Sequence, residues 1–248
     1  MSLASLKTVK EYLDRFEKLS NLHPGGAPWS FRIDFGRHDK HIMLGGIIHG
    51  NEVGSLPALT ELAERLLAGD ILYGGSVSIV LGNVEACVAG ERFIEADLNR
   101  VFLEDAPDSA EKLRALELMP LFDDVDLFID FHQTIEPSEQ PFFIFPYHVV
   151  GYNWARILDP EIVLVTRDPR RSFAQGQVCA DEYARSLGIP GITIEMGQKG
   201  LTQIASQLTR ECCLRAFEGM DRISTGETVL EILESGRRND LRCFEIQY

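Results

Sequence analysis

The stretch IIHGNEVGSLPAL, from Ile47 to Leu59, carries an apolar run into His-Gly-Asn-Glu, so His49 and Glu52 stand three positions apart where a strand meets a helix. Imidazole and carboxylate both bind metals, and functional groups in open α/β sheets gather at the carboxyl ends of the strands. His132 closes the run VDLFIDFH, and Glu195 lies near the end of GITIEMG. Two histidines and one carboxylate, with a fourth position left to water, form a ligand set for catalytic zinc. A second carboxylate beside that set could take a proton from the water. Each residue also has a plainer reading. HxxE alone is a weak pattern, and a single histidine at a strand end is more often a core residue with satisfied hydrogen bonds. Glu195 is harder to set aside, because a carboxylate buried inside ITIEMG needs a partner or a raised pKa. His23, His38, His41 and His148 read as surface or loop residues.

A second constellation lies in GERFIEADLNRVF, where Arg92, Asn99 and Arg100 surround an acidic pair, Glu95 and Asp97. Arginine forks match carboxylates two hydrogen bonds at a time, so this stretch is a candidate anion site. The alternative is a loop laced with surface ion pairs.

These residues must be positioned by a scaffold, and the hydrophobic periodicity supplies one. Leu6, Val9, Leu13, Phe16 and Leu19 recur at helical spacing. WSFRIDFG alternates like a strand, while HIMLGGIIHG and SVSIVLGN are continuously apolar, as strands covered on both faces are. Asn51 to Leu67 reads as a helix, as do SAEKLRALELMPLF, the stretch near Gln177 to Leu187, and Thr202 to Glu218. Further strands are expected at VDLFIDFH, PFFIFPY, EIVLVTR and GITIEMG. This alternation predicts an α/β fold with a mixed, mostly parallel sheet and helices on both faces. LRCFEIQY at the end reads as a strand that either pairs back onto the main sheet or opens a further domain.

Composition narrows the function. The 248 residues suffice for one large domain, and 45% hydrophobic with 25% charged content is ordinary for a globular protein. A formal charge of -14 excludes nucleic acid and anionic membrane surfaces as natural partners, so an anionic substrate must be captured by local arginines. No apolar run reaches the length of a membrane span. The opening MSLASLKTVKEYLDRF contains acids and reads as a surface helix, with no weight placed on Met-Ser-Leu. Five cysteines without CxxC spacing read as reduced thiols, and a cytoplasmic location is expected. Nothing in the sequence specifies an oligomeric state.

GIIHGNE, RFIEADLNR, DFHQT and ITIEMG, in that order, resemble the succinylglutamate desuccinylase/aspartoacylase family, over roughly Met43 to Gly200. The resemblance implies a three-layer zinc-carboxypeptidase-like fold over residues 1–225. It implies one zinc ion per chain, held by His49, Glu52 and His132, and Glu195 as the base that activates water and later protonates the leaving amine. Arg92 matches the residue that stabilises the oxyanion, and Asn99 with Arg100 the pair that holds the α-carboxylate of the released amino acid. Asp97 matches a carboxylate that orients a zinc histidine. Arg185, ten residues before Glu195, matches an arginine for a second substrate carboxylate, although an arginine at a helix end is also ordinary. Pocket tyrosines of aspartoacylases have no recognisable counterpart, and IVLGNVEACVAGERF and FFIFPYH lean towards the desuccinylase branch. Residues 226–248 are expected to be a C-terminal extension, where family members commonly begin a small β domain that closes over the pocket.

The expected function is therefore zinc-dependent removal of an acyl group from a small anionic N-acyl amino acid. Two alternatives use the same residues: a zinc carboxypeptidase or cell-wall peptide hydrolase of the same fold, and a metal-binding or ligand-sensing module without activity.

Overall fold

The computed structural model describes residues 3–136, 138, 140–159, 161–168, 176–236 and 240–246. Eight strands form one sheet: β1 (Ser30–Asp34), β2 (His41–Gly46), β3 (Ser76–Leu81), β4 (Leu127–Thr134), β5 (Phe142–Ile144), β6 (Val163–Thr166), β7 (Gly191–Gln198) and β8 (Cys243–Glu245). Their order is β1-β3-β2-β4-β7-β5-β6-β8. The four central strands, β3-β2-β4-β7, are parallel. At the edges, β1 and β5 run antiparallel to their inner neighbours, while β6 and β8 run parallel to β5.

The helices are α1 (Leu3–Leu22), α2 (Leu56–Ala68), α3 (Val84–Ala89), α4 (Ala110–Leu118), α5 (Val149–Leu158), α6 (Ala180–Ser186), α7 (Gln203–Ser224) and α8 (Val229–Ser235). Strand side chains alternate between faces, so each central strand feeds two cores. Ile42 and Leu44 of β2, Leu127, Ile129 and Phe131 of β4, and Ile192 and Ile194 of β7 pack with α1, α2, α5, α7 and α8. Met43, Val80 and Phe128 face the other way, against α4 and α6. This second face turns polar along the strands: Phe128 is followed at two-residue steps by Asp130 and His132, and Gly191 by Thr193 and Glu195. The apolar run ITIEMG thus buries Ile192 and Ile194 on one face and presents Glu195 on the other.

Several expectations need correction. The helix expected from Asn51 starts at Leu56, with a proline in its first turn. Residues 51–55 turn instead, because Gly54 N donates to Gln133 Oε1 at 2.9 Å and Gln133 N donates to Glu52 at 2.9 Å. Helices α3, α5 and α8 were not anticipated. In α5, Val149, Val150 and Gly151 weaken the local helical signal, and buried Trp154, Ile157 and Leu158 supply the stabilisation through tertiary packing. His41 is no surface residue. It is fully buried in β2, with Nδ1 against Asp124 Oδ1 at 2.9 Å and Nε2 against Ser78 Oγ at 2.8 Å. His38 is largely buried, and its Nε2 donates to Asp221 at 2.8 Å.

Of the two readings for LRCFEIQY, the described part pairs back onto the sheet, with β8 beside β6. Gln247 and Tyr248 lie outside the described residues, as do Met1, Ser2 and, within the expected extension, Arg237 to Asn239. Among the described residues no helix is long and apolar enough to cross a membrane.

Candidate metal centre

His49 reaches the centre by a sharp turn after β2. Ile47 has φ 55°, an unfavourable left-handed conformation for a β-branched residue. It is held by burial and by a 2.7 Å bond from Asn83 N to Ile47 O. Gly50 follows where the chain presses on α3: a Cβ there would lie 2.4 Å from the Ala86 and Cys87 backbone. His49 therefore sits three residues beyond the strand, whereas His132 sits inside β4, two residues before its end.

His49, Glu52 and His132 are buried and converge, each offering a ligand atom within 4.8 Å of the others. His49 Nδ1 lies 2.9 Å from Glu52 Oε1, and His132 Nδ1 lies 3.0 Å from Glu52 Oε2. The two Nδ1 atoms are 3.2 Å apart. Both rings turn their other nitrogen to a carboxylate: His49 Nε2 to Asp97 Oδ1 at 3.0 Å, and His132 Nε2 to Asp130 Oδ2 at 2.8 Å. A carboxylate on the far nitrogen fixes the ring and its tautomer and makes the near nitrogen a better ligand. The donor set, its convergence and its backing fit a divalent metal ion held by three protein ligands.

Charge within the cluster is strongly coupled. Burial would raise the Glu52 pKa, but hydrogen bonds from His132 and His49 drive it far below the carboxylate range. Burial disfavours a charged His132, and Asp130 and Glu52 overcome it and raise its pKa. Asp97 likewise resists burial and is pulled down to about 2, chiefly by His49, with Arg100 and Arg92 assisting. Arg92 Nη1 donates to Glu52 Oε1 at 2.8 Å, and its Nη2 lies 2.8 Å from His49 Nε2. A guanidinium only donates, so His49 Nε2 can accept from Arg92 or donate to Asp97, but not both. With Nδ1 turned to the triangle, a neutral ligand imidazole carries its hydrogen on Nε2; the Asp97 bond is then the one formed, and Arg92 Nη2 serves another acceptor.

Glu195 is the register partner of His132 across the parallel β4–β7 pair. Its Oε2 is buried without a hydrogen-bond partner, and burial raises its pKa. It lines a cleft of about 230 Å³ with His49, Glu52, His132, Arg92, Asn99 and Arg100. Asn99 Oδ1 accepts from Ala180 N at 2.9 Å, which leaves its amide nitrogen as the donor. Arg100 Nη1 donates to Asn99 O at 2.6 Å and to Cys179 Sγ at 3.3 Å. Eight of the nine residues singled out from the sequence are thus brought together, with Asp97 behind His49.

Arg185 is not among the cleft-lining residues. Its Nη1 donates to Asp181 Oδ2 at 2.6 Å and to Gly191 O at 3.1 Å, and it borders a neighbouring cavity of about 410 Å³ with His148 and Glu182. The sequence reading missed Asp130, Arg167 and Glu111. For Asp130 the signal was present: DFH puts Asp130 and His132 on one face of a strand. Arg167, immediately after β6, is buried and lines the cleft. Glu111 is buried on α4 and accepts from Ile94, Glu95 and Ala96 N and from Asn83 Nδ2, at 2.6 to 3.1 Å. It therefore fixes the loop between Arg92 and Asp97.

Comparisons with known proteins identify the family. Residues 38–216 match the model for the succinylglutamate desuccinylase/aspartoacylase catalytic domain. A succinylglutamate desuccinylase of Pseudomonas fluorescens is 25% identical over 225 residues, covering 80% of this chain and 67% of the relative. One from Pseudomonas paraeruginosa is 31% identical over 166 residues, covering 59% of this chain and 50% of the relative. The chain therefore spans between half and two-thirds of these relatives. The crystal structure of the succinylglutamate desuccinylase from Chromobacterium violaceum shares the fold, with a TM-score of 0.69 at 20% identity, over 91% of this chain and 74% of that one. The match over residues 38–216 covers well over half of the sequence, and the chain belongs to the succinylglutamate desuccinylase/aspartoacylase family.

Proposed function

We propose that this chain is the catalytic unit of a zinc-dependent amidohydrolase that removes the acyl group from a small, anionic N-acyl amino acid. One observation carries the reading: a buried His49–Glu52–His132 triangle with Glu195, its carboxyl oxygen unpartnered, one strand away from His132. When bound, zinc supplies Lewis-acid polarisation of a carbonyl and lowers the pKa of a water.

The chain's own residues supply the rest. Glu195 accepts the proton of the attacking water and returns it to the departing amide nitrogen. Its raised pKa suits both halves of that task, since the carboxyl must hold the proton between them. Arg92 donates to the carbonyl oxygen as negative charge develops there, in a cleft where water screens little. Asn99 and Arg100, anchored to the start of α6, grip the α-carboxylate and fix the amide relative to Glu195.

A cleft of about 230 Å³ suits a small acyl amino acid better than an extended peptide, which weighs against the carboxypeptidase reading. Five unpaired cysteines, four of them buried, support the cytoplasmic setting that goes with it. The test is amine release by zinc-loaded protein from N-succinylglutamate, N-acetylaspartate, an N-acetylated neutral amino acid and a short peptide. Hydrolysis of an acidic acyl amino acid is the expected result. Cleavage of the peptide alone would replace this reading with a peptidase, and zinc binding without any turnover would favour a non-catalytic module.

A further inference from the structure

If the substrate carries two carboxylates, the cleft needs a second cationic group beyond the Asn99–Arg100 pair. The position expected from the sequence is Arg185, and the geometry argues against it. Between Arg185 and the cleft stands Asp181: it lines the cleft, and its Oδ2 takes the Arg185 guanidinium at 2.6 Å. A carboxylate approaching on that side meets Asp181, a like charge.

A different arginine reaches the cleft. Arg167 follows β6 directly, is only 3% exposed, and lines the same cavity as His49, Glu52, His132 and Glu195. The strand end that carries it is pinned by Thr166 Oγ1 donating to the carbonyl of Phe145, itself a cleft residue, at 2.9 Å. Arg167 Nη2 is oriented by Glu182, whose other oxygen accepts from Cys179 N at the start of α6. Arg100 is tied to the same turn through Cys179 Sγ. The first turn of α6 therefore aims two guanidiniums, from separate stretches of the chain, into one small cavity. Glu182 is not among the cleft-lining residues, so Arg167 stands between its counter-ion and the cavity, the reverse of Arg185 behind Asp181.

We propose that Arg167, and not Arg185, grips the second carboxylate of the substrate and sets the preference for dicarboxylic over monocarboxylic N-acyl amino acids. This rests on the deacylase reading above. The chemistry is a second carboxylate on either side of the amide: N-acetylglutamate carries it on the amino acid, N-succinylalanine on the acyl group.

Zinc-loaded wild type, Arg167→Gln, Arg167→Lys and Arg185→Gln are compared on those two substrates and on N-acetylalanine. Zinc content and thermal melting are recorded for each. Loss of a charge-assisted hydrogen bond predicts a KM rise of about tenfold to hundredfold in Arg167→Gln for the dicarboxylic substrate concerned. Its kcat and its KM for N-acetylalanine are expected within about threefold of wild type, and Arg167→Lys should recover part of the loss through its retained charge. Which of the two dicarboxylic substrates is affected assigns the side of the amide. Equal losses on all three substrates, or loss of selectivity in Arg185→Gln instead, would overturn the assignment. If Arg167→Gln does not fold, Arg167→Lys decides, because lysine keeps charge but not the fork: unchanged selectivity there overturns it. Should wild type hydrolyse none of the three, the deacylase reading fails separately. Calorimetric binding of glutarate then tests the arginine, with equal affinity in wild type and Arg167→Lys counting against it.

Discussion

The cleft has two walls built on different principles. The metal wall hangs on the central strands, and its polar groups are fixed by carboxylates behind them: half-buried Asp97 behind His49, and buried Asp130 behind His132 and Glu111 under the arginine loop. The outer wall hangs on β5, β6 and the short helix α6, and its polar groups are fixed by ion pairs, Arg185 with Asp181 and Arg167 with Glu182. On the first wall the neighbours along a strand decide where a side chain points. On the second, what decides is which carboxylate captures which arginine, and counting along the chain cannot supply that.

The sharpest probe of the metal wall is Glu195→Gln. It removes the proposed proton carrier while keeping its shape, so turnover should fall by about 10²- to 10⁴-fold. Zinc content should stay at the wild-type level, because Glu195 is not in the ligand triangle. A variant that keeps turnover, or that loses its zinc, breaks the division between base and ligands.

Asp130→Asn comes next. The amide is nearly isosteric but no longer presents a second acceptor oxygen or a negative charge to His132 Nε2. Zinc affinity should drop about tenfold to hundredfold, read by competition with a chelator. An affinity unchanged from wild type would mean that the strand alone holds His132, and the contrast between the two walls would lose half its basis.

The same contrast explains what was legible in the sequence. Apolar runs made β2, β3, β4 and β7 readable, and with them His132 and Glu195, because functional groups gather near the carboxyl ends of such strands. His49 and Glu52 were readable as a pair, although the turn through Ile47 that aims them was not: no residue type there announces a left-handed backbone. Asp130 was within reach of strand alternation and was passed over. Arg185 and Arg167 show the opposite case. Both are strand-end or helix-end arginines with ordinary local roles, and only the positions of Asp181 and Glu182, one residue apart on α6, separate cleft from neighbouring cavity. His41 was misread because it opens β2 directly after the polar stretch RHDK, and its partners, Ser78 and Asp124, come from elsewhere in the chain.

Glu111 gives the smallest effect on chemistry and the cleanest test of how the metal wall is fixed. It touches no ligand, yet its two oxygens take three successive backbone N–H groups of the loop that carries Arg92 and Asp97. In Glu111→Gln one acceptor becomes a donor facing donors, so a loss of about 1–3 kcal/mol in folding stability is expected at pH 7, read by urea denaturation. Turnover should fall only severalfold. Burial opposes the charge on Glu111, but those N–H groups and Asn83 prevail and hold its pKa below the ordinary value of 4.5. A depressed carboxylate pKa means that the unfolded chain takes up the proton first on acidification. The stabilisation is therefore complete above the ordinary value and drains away as pH falls through the folded one. The stability gap between wild type and Glu111→Gln should accordingly be constant from pH 7 to about 5.5 and narrow steadily below about 4.5. A gap that holds its size into acid would place the effect in shape and not in charge, and the loop would then be held by packing and not by a buried anion.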